Sequence, residues 1–130
     1  MATTPVFGWT VLYVQNVDDA IDLYVNALNL PLKFRHPDGQ YAEFATGATT
    51  FAICDQSYMS ETLGTNVATS NRLPTRNITL VVDDVATAYS HAVAKGARAI
   101  HQPVEKPWGQ TSSYVADLDG NLIEIATEVS

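Results

Sequence analysis

The side chains that most often bind metals or carry out catalysis are few in this sequence and poorly placed for either task. It contains three histidines and one cysteine. His91 falls in a stretch with helical periodicity, His36 neighbours a predicted turn, and His101 ends a short predicted strand. No histidine is placed to convert Cys54 to a thiolate, so Cys54 is interpreted as a small apolar residue rather than a nucleophile. The sequence therefore identifies no catalytic residue.

An internal repeat organises the elements that must position any site. Residues 9–30 align with residues 77–98 at a constant offset (77 − 9 = 68). Each copy has an alternating β-branched run, an acidic cluster and an amphipathic stretch, which is typical of a strand followed by a helix. Asn16 and Asp84 are natural N-cap residues for the two helices, and Gly96 is a helix stop.

Three short strands are predicted after each helix, separated by turns rich in Gly, Asp and Pro. Between the two copies lies a polar stretch that is either a plain connector or a mobile cover over a site. We predict one α+β domain over residues 1–130, in which two βαβββ modules form curled mixed sheets around a central cavity with the helices outside. The predicted bounds are about 6–55 for module 1, about 56–75 for the linker and about 76–128 for module 2.

Composition narrows the classes of partner. The formal net charge of −7 disfavours nucleic acid, because an acidic surface repels phosphate backbones. No apolar run approaches the ~20 residues needed to span a bilayer, and the first residues lack the pattern of a signal peptide. The single cysteine excludes an internal disulfide. We expect a cytoplasmic protein with neither a nucleic-acid nor a membrane partner.

Two groups of motifs resemble the vicinal oxygen chelate superfamily, which includes glyoxalase I, bleomycin-resistance proteins and extradiol dioxygenases. One is the turn DLDGN (117–121) followed by the strand LIEI (122–125). The other is LYV (12–14) followed by VDDAI (17–21) and Tyr24. With the duplicated βαβββ order, the resemblance covers nearly the whole chain. It implies a homodimer, because modules in this superfamily pair across chains as well as within them.

The resemblance also implies where a metal would be held. Metalloenzymes of the superfamily place four ligands, typically His or Gln, Glu, His and Glu, on the first and last strands of each module. The corresponding positions here are Trp9, Ala52, Asn77 and Glu124. Trp and Ala offer no donor and Asn only a neutral carbonyl, so Glu124 alone matches the chemistry that divalent metals need. We therefore predict no metal and no cofactor.

Strand alternation then predicts what faces the cavity, since side chains two residues apart share a face. The cavity face mixes aromatic, small, hydroxyl and carboxylate side chains, which is typical of a ligand pocket, whereas the opposite face is almost wholly aliphatic. From these strands and the adjoining loop we predict a ligand-binding set comprising Trp9, Tyr13, Ala52, Asn77, Trp108, Tyr114 and Glu124.

Several of these residues have competing interpretations. Trp9 could stack on a ligand or fill the pocket, and Trp108 could lie on the rim or cover the core. The hydroxyls of Tyr13 and Tyr114 could anchor a ligand. Glu124 could accept a hydrogen bond from a ligand or neutralise a cation, or it could be a partly solvated carboxylate that answers Asn77. Burial could also raise its pKa far enough to make it a general base.

Two functions remain open. The first is a metal-free protein, similar to the bleomycin-resistance branch, that binds or sequesters a small aromatic molecule, including a cationic drug, as in antibiotic resistance. The second is an enzyme of the superfamily, a lyase, isomerase or dioxygenase, that uses Glu124 as acid, base or metal ligand. Catalysis is left open, and the missing metal ligands favour binding.

Overall fold

The computed structural model describes residue 4 and residues 7–65 and 76–128. It contains two four-stranded sheets and three helices, one of which continues as a π-helical segment. The first half comprises β1 (Trp9–Val14), α1 (Val17–Asp22) with its π-helical continuation (Leu23–Ala27), β2 (Leu32–Arg35), β3 (Tyr41–Phe44), β4 (Thr50–Asp55) and α2 (Gln56–Leu63). The second comprises β5 (Asn77–Val81), α3 (Val85–Ala94), β6 (Arg98–Glu105), β7 (Thr111–Ala116) and β8 (Leu122–Ala126).

The two sheets repeat one topology. The strand order is β1-β4-β3-β2 in the first sheet and β5-β8-β7-β6 in the second. The first and last strands of each module pair in parallel, and the other pairs are antiparallel. The predicted α+β fold of two βαβββ modules is confirmed, and the two sheets do not close on one another. The metal-ligand positions of the superfamily therefore lie on paired, adjacent strands within each module.

Local sequence explains where the helices begin and what they cover. The Asn16 side chain accepts the Asp19 amide at 2.9 Å, and the Asp84 side chain accepts the Thr87 amide at 3.1 Å. These contacts confirm both predicted N-caps. Helices α1 and α3 pack on the aliphatic face of the sheets, where the hydrophobic core lies. Its strand residues include Leu12, Val14, Phe51, Ile53, Ile123 and Ile125.

Polar contacts join the two modules. The buried Tyr24 hydroxyl donates to Asp117 Oδ2 at 2.6 Å, and the Gln15 amide donates to Asp119 Oδ1 at 2.9 Å. His91 Nε2 lies 2.8 Å from the Asn26 carbonyl oxygen, which belongs to the π-helical segment. The turn that closes the second module is thereby fixed to the helix of the first.

The segment predicted to be a linker is helical in its first part. Asp55 caps α2 by accepting the amides of Ser57 and Tyr58 at 2.8 and 3.1 Å. Gly64 ends the helix in the left-handed conformation at φ 70°, which suits glycine. Few apolar residues mark this helix, and its capping residues are the signal in the sequence that indicates it. Residues 66–75 of the predicted linker lie outside the described residues. No helix in the described part of the chain is long and apolar enough to cross a bilayer.

Candidate functional site

The inner face of each sheet, defined here as the face opposite α1 or α3, carries the predicted cavity residues. In the first sheet Val11 pairs with Ala52 and Tyr13 with Cys54. In the second sheet Thr79 pairs with Glu124 and Tyr114 pairs with Glu124 from the other side. Because paired residues share a face, the inner surface has the mixed composition expected from strand alternation.

Glu124 is the centre of a hydrogen-bonded cluster on the second inner face. Oε1 accepts the Thr79 hydroxyl at 2.7 Å. Oε2 accepts the Ser112 hydroxyl at 2.6 Å and the Tyr114 hydroxyl at 3.3 Å. Asn77 Nδ2 donates to Thr79 Oγ1 at 3.0 Å, so Asn77 answers Glu124 through Thr79 rather than directly. We call these five residues the Glu124 cluster.

The environment keeps Glu124 ionised. Partial burial by itself would raise its pKa, but the hydrogen bonds from Ser112, Thr79 and Tyr114, helped by the positive charge of Lys106, lower the pKa below its usual value. The expectation that burial would raise this pKa and produce a general base is therefore wrong. The three hydroxyl donors are the physical reason, because each stabilises the charged form.

A hairpin beside the cluster carries Trp108. The Trp108 side chain is 60% exposed, and its Nε1 donates to Gln110 Oε1 at 2.9 Å. Gln110 in turn donates to the Thr127 carbonyl at 2.9 Å, just beyond β8. The interpretation of Trp108 as a cover over the core is wrong, because the indole is open to solvent. Lys106, whose charge acts on Glu124, begins the same hairpin.

The first inner face has its carboxylate on a different strand. Ala52, at the superfamily position on β4, is fully buried and has no donor. Its partner on β3 is Glu43, which accepts the Tyr41 hydroxyl at 2.7 Å. Burial, followed by this contact with Glu43, raises the pKa of Tyr41 to about 12. Each inner face thus has one tyrosine–glutamate hydrogen bond, and sequence alternation along β3 could have identified Glu43.

The remaining predicted site residues are divided between the modules. Tyr13 lines a cavity of about 320 Å³ on the first inner face and is absent from the Glu124 cluster. Trp9 is 61% exposed, so it does not fill a closed pocket within this chain. Of the predicted set, the structure brings together Asn77, Tyr114 and Glu124. Ser112, Thr79 and Lys106 join them, and the period-two pattern of β7 is the signal that places Ser112 beside Tyr114.

His36, His91 and Cys54 lie away from the Glu124 cluster, whereas His101 pairs with Tyr114, a member of the cluster, in the register of β6 and β7. His101 Nδ1 lies 2.8 Å from the Gln102 carbonyl oxygen, and His36 Nδ1 lies 3.0 Å from Asp38 Oδ1. Cys54 is free and buried. Burial, followed by the charge of Asp55, raises the pKa of its thiol, so it stays protonated near neutral pH. These findings agree with the interpretation of Cys54 as a small apolar residue.

The side chains at the four superfamily positions do not suit a divalent metal. Glu124 directs both oxygens to hydroxyl donors, and the Asn77 amide nitrogen donates to Thr79. Ala52 and Trp9 have no donor atom for a metal. Within residues 7–65 and 76–128, no group of three or more His, Cys, Asp or Glu side chains is arranged to hold a metal ion.

A family comparison covers both modules. The glyoxalase-like domain model matches residues 7–130. The chain belongs to the glyoxalase-like family. Solved structures support the vicinal oxygen chelate fold, and a search of curated protein sequences finds no significant match.

Three solved structures illustrate the range of relatives with this fold. A glyoxalase-related enzyme from Fulvimarina pelagi has 20% identity and a TM-score of 0.82, over 96% of this chain and 89% of that one. A lactoylglutathione lyase from Agrobacterium tumefaciens has 21% identity and a TM-score of 0.71, over 96% and 95%. TioX from Micromonospora sp. ML1 has 23% identity and a TM-score of 0.69, over 95% and 98%. At these identities the likeness concerns the fold alone.

Proposed function

We propose that this glyoxalase-like protein binds a small, positively charged aromatic molecule without a metal, at the Glu124 cluster. The observation that carries the proposal is an ionised carboxylate held by Thr79, Ser112 and Tyr114 on an inner face that remains open. Asn77 and Thr79 beside it are exposed. A fixed negative charge at an accessible surface attracts a cation without the cost of first ordering the carboxylate.

Exposed aromatic side chains support an aromatic ligand. Trp9 and Trp108 keep 61% and 60% of their surface exposed, although large apolar side chains are usually buried. The electron-rich face of an indole attracts a cation, and its flat surface stacks on a planar ring. Together with Glu124, these indoles have the chemistry that a planar organic cation requires. Sequestration of such a compound, including an antibiotic, is the use that we propose.

The state of Glu124 favours binding over acid–base catalysis. A general base works best when its pKa lies near the working pH, whereas the hydroxyl donors hold the pKa of Glu124 below its ordinary value. Such a carboxylate remains charged at neutral pH but accepts protons poorly. The property that weakens Glu124 as a base makes it a permanent partner for a cation.

We also propose a homodimer. The two sheets do not close within one chain, and Trp9, Val81 and Trp108 are each at least 58% exposed. A second copy placed opposite the inner faces would remove part of this apolar surface from water and leave the Glu124 cluster in a cleft between the two chains. The buried free thiol of Cys54 is compatible with a reducing compartment, and we retain the cytoplasm as the proposed location.

Fluorescence titration tests the binding proposal, because Trp9 and Trp108 are the only tryptophans. The probes are N-methylacridinium, a planar cation, and acridine, which has nearly the same shape and is uncharged at mildly alkaline pH. We expect the cation to quench tryptophan emission saturably and to bind more tightly than acridine. Trp9→Phe and Trp108→Phe assign the signal to one indole.

A matched pair of variants separates local charge from total charge. Glu124→Gln should weaken N-methylacridinium binding about two- to fivefold, as expected for a partly exposed ion pair. Asp22→Asn removes the same charge from the exposed surface of α1 and should leave binding unchanged. An equal loss of N-methylacridinium affinity in both variants, or equal affinities of the unaltered protein for N-methylacridinium and acridine, would contradict the role of Glu124. One equivalent of zinc, nickel or iron per chain in purified protein would contradict the metal-free proposal.

A further inference from the structure

A pocket on the first inner face, separate from the Glu124 cluster, has an unusual concentration of aromatic rings. Its volume of about 320 Å³ is in the range of small-molecule sites. It lies where the ends of β1 and β4 meet the β2–β3 hairpin, beneath α2. Three tyrosines line it, Tyr13, Tyr41 and Tyr58, together with Asp38. None of the four superfamily positions is among its lining residues.

The walls suit a cation better than a neutral apolar group. Tyr41 is held by its 2.7 Å hydrogen bond to Glu43, which fixes the ring and places a second carboxylate behind it. The thioether of Met59, on α2, and the thiol of Cys54 complete a polarisable lining. Aromatic rings backed by carboxylates are the environment in which ammonium groups are recognised, because the ring faces are electron-rich.

The rim is negatively charged. Asp38 Oδ1 accepts the Gln40 amide at 2.9 Å, and this hydrogen bond is the main reason that the pKa of Asp38 is lowered. His36 Nδ1 lies 3.0 Å from the same oxygen and 3.3 Å from the Asp38 amide nitrogen. Arg35, in the same hairpin, forms an ion pair with Asp18 at 2.7 Å, so its charge is already compensated.

We propose that this pocket binds an organic ammonium ion, as a second site that operates independently of Glu124. The charged head group lies among the rings of Tyr13, Tyr41 and Tyr58, with Asp38 at the mouth. Helix α2 supplies Tyr58 and Met59, so this helix is part of the site as well as a connection between the modules.

Methyl NMR provides a direct test in the intact chain, because Met1 and Met59 are the only methionines. Protein labelled with ¹³C at the methionine methyls gives two signals, and Met59→Leu assigns the one in the pocket. The probes are choline and 3,3-dimethylbutan-1-ol, which has the same shape without the charge. We expect choline to shift the Met59 signal saturably at constant ionic strength, and the neutral alcohol to have a much smaller effect. An unmoved Met59 signal, or equal shifts by both probes, overturns the proposal.

Variants locate the ammonium group and separate this site from the Glu124 cluster. Tyr58→Ala should weaken choline binding about two- to thirtyfold, the range for one cation–π contact, whereas Tyr58→Phe keeps the ring and the affinity. Leu63 is also exposed on α2 but does not line the pocket, so Leu63→Ala should leave choline affinity unchanged. Asp38→Asn should weaken choline binding about two- to fivefold. Glu124→Gln should leave choline binding intact, and Tyr58→Ala should leave N-methylacridinium quenching intact; a loss in either cross-test overturns the independence of the two sites.

Discussion

Replacement of Tyr24 by Phe removes one oxygen from the contact that joins the two modules. The Tyr24 side chain is fully buried, and its ring packs against Phe44 and Phe51 at centroid distances of 5.3 and 5.1 Å. Phe retains this packing. What is lost is the 2.6 Å hydrogen bond to Asp117, a carboxylate that is only 6% exposed. The variant therefore isolates the contribution of a single buried, charge-assisted hydrogen bond.

The expected loss is about 1.5–3 kcal/mol of the free energy of unfolding, the range for a hydrogen bond to a charged group. The lower part of the range applies if Asp117 relaxes onto its three other donors. These are the Asp119 amide, the Asn121 amide and Asn121 Nδ2, at 2.9, 2.8 and 2.9 Å. Urea denaturation followed by circular dichroism measures the change, with the same slope expected in both proteins because the same surface is exposed on unfolding.

Tyr58→Phe is the matched control. It deletes the same atom from a side chain that is 42% exposed, and it should change the free energy of unfolding by less than about 0.5 kcal/mol. If Tyr24→Phe changes the free energy of unfolding as little as this control does, the Tyr24–Asp117 hydrogen bond does not stabilise the contact between the modules. A Tyr24→Phe protein with two separate unfolding transitions would show that the contact also couples them.

Four further predictions follow from the same geometry. Ser112→Ala should raise the pKa of Glu124 more than Tyr114→Phe does, because the deleted hydrogen bonds are 2.6 and 3.3 Å long; carboxyl ¹³C titration reports both, and the reverse order would contradict this account. N-methylacridinium affinity should hold from neutral pH down to the ordinary glutamate pKa of about 4.3 and fall below it, with no such fall in Glu124→Gln. The folded protein binds the Tyr24 proton more tightly than the unfolded chain does. The resulting contribution to the free energy of unfolding is complete below pH ~10 and declines above it, and the decline should be smaller in Tyr24→Phe. Gly64→Ala should lower the free energy of unfolding by about 1–2 kcal/mol, measured by thermal or urea unfolding, because its φ of 70° strains an alanine backbone. A Cβ meets no atom within 4 Å at either Gly64 or Gly8, so Gly8→Ala is the control without this strain and should be near neutral.

The fold could be predicted because each of its signals is local or repeated. The caps at Asn16 and Asp84 act within three residues, and alternation along β1 and β8 assigns one face to the helices. The duplication then doubles the evidence, since an error in one module conflicts with the other. Helix α2 cannot be predicted from apolar periodicity, because none of its residues is buried. Only its capping residues, Asp55 and Gly64, indicate it.

The site could be predicted only in part, for a physical reason. Alternation places Tyr114 and Glu124 on the inner face but does not show what hydrogen-bonds to them. The state of Glu124 depends on Ser112 and Thr79, which reach it from the strands on either side through sheet register. The expected direction of the pKa was wrong for this reason, because burial was visible in the sequence and the compensating donors were not. Alternation also predicts one pocket for Tyr13 and Glu124, whereas Tyr13 lines a separate cavity in the first module.

The position of Glu124 separates what a scaffold determines from what the neighbouring residues determine. Pairing of β8 with β5 and β7 directs the side chain at this position onto the inner face, whatever its chemistry. In metalloenzymes of the vicinal oxygen chelate superfamily, which this chain resembles, imidazoles and a second carboxylate would surround a glutamate at this position and share a cation with it. Here hydroxyl groups surround it, and they satisfy its charge without neutralising it. A carboxylate in that state keeps its negative charge, and we propose that the placement of a side chain that supports metal chemistry among one set of neighbours supports recognition of an organic cation here.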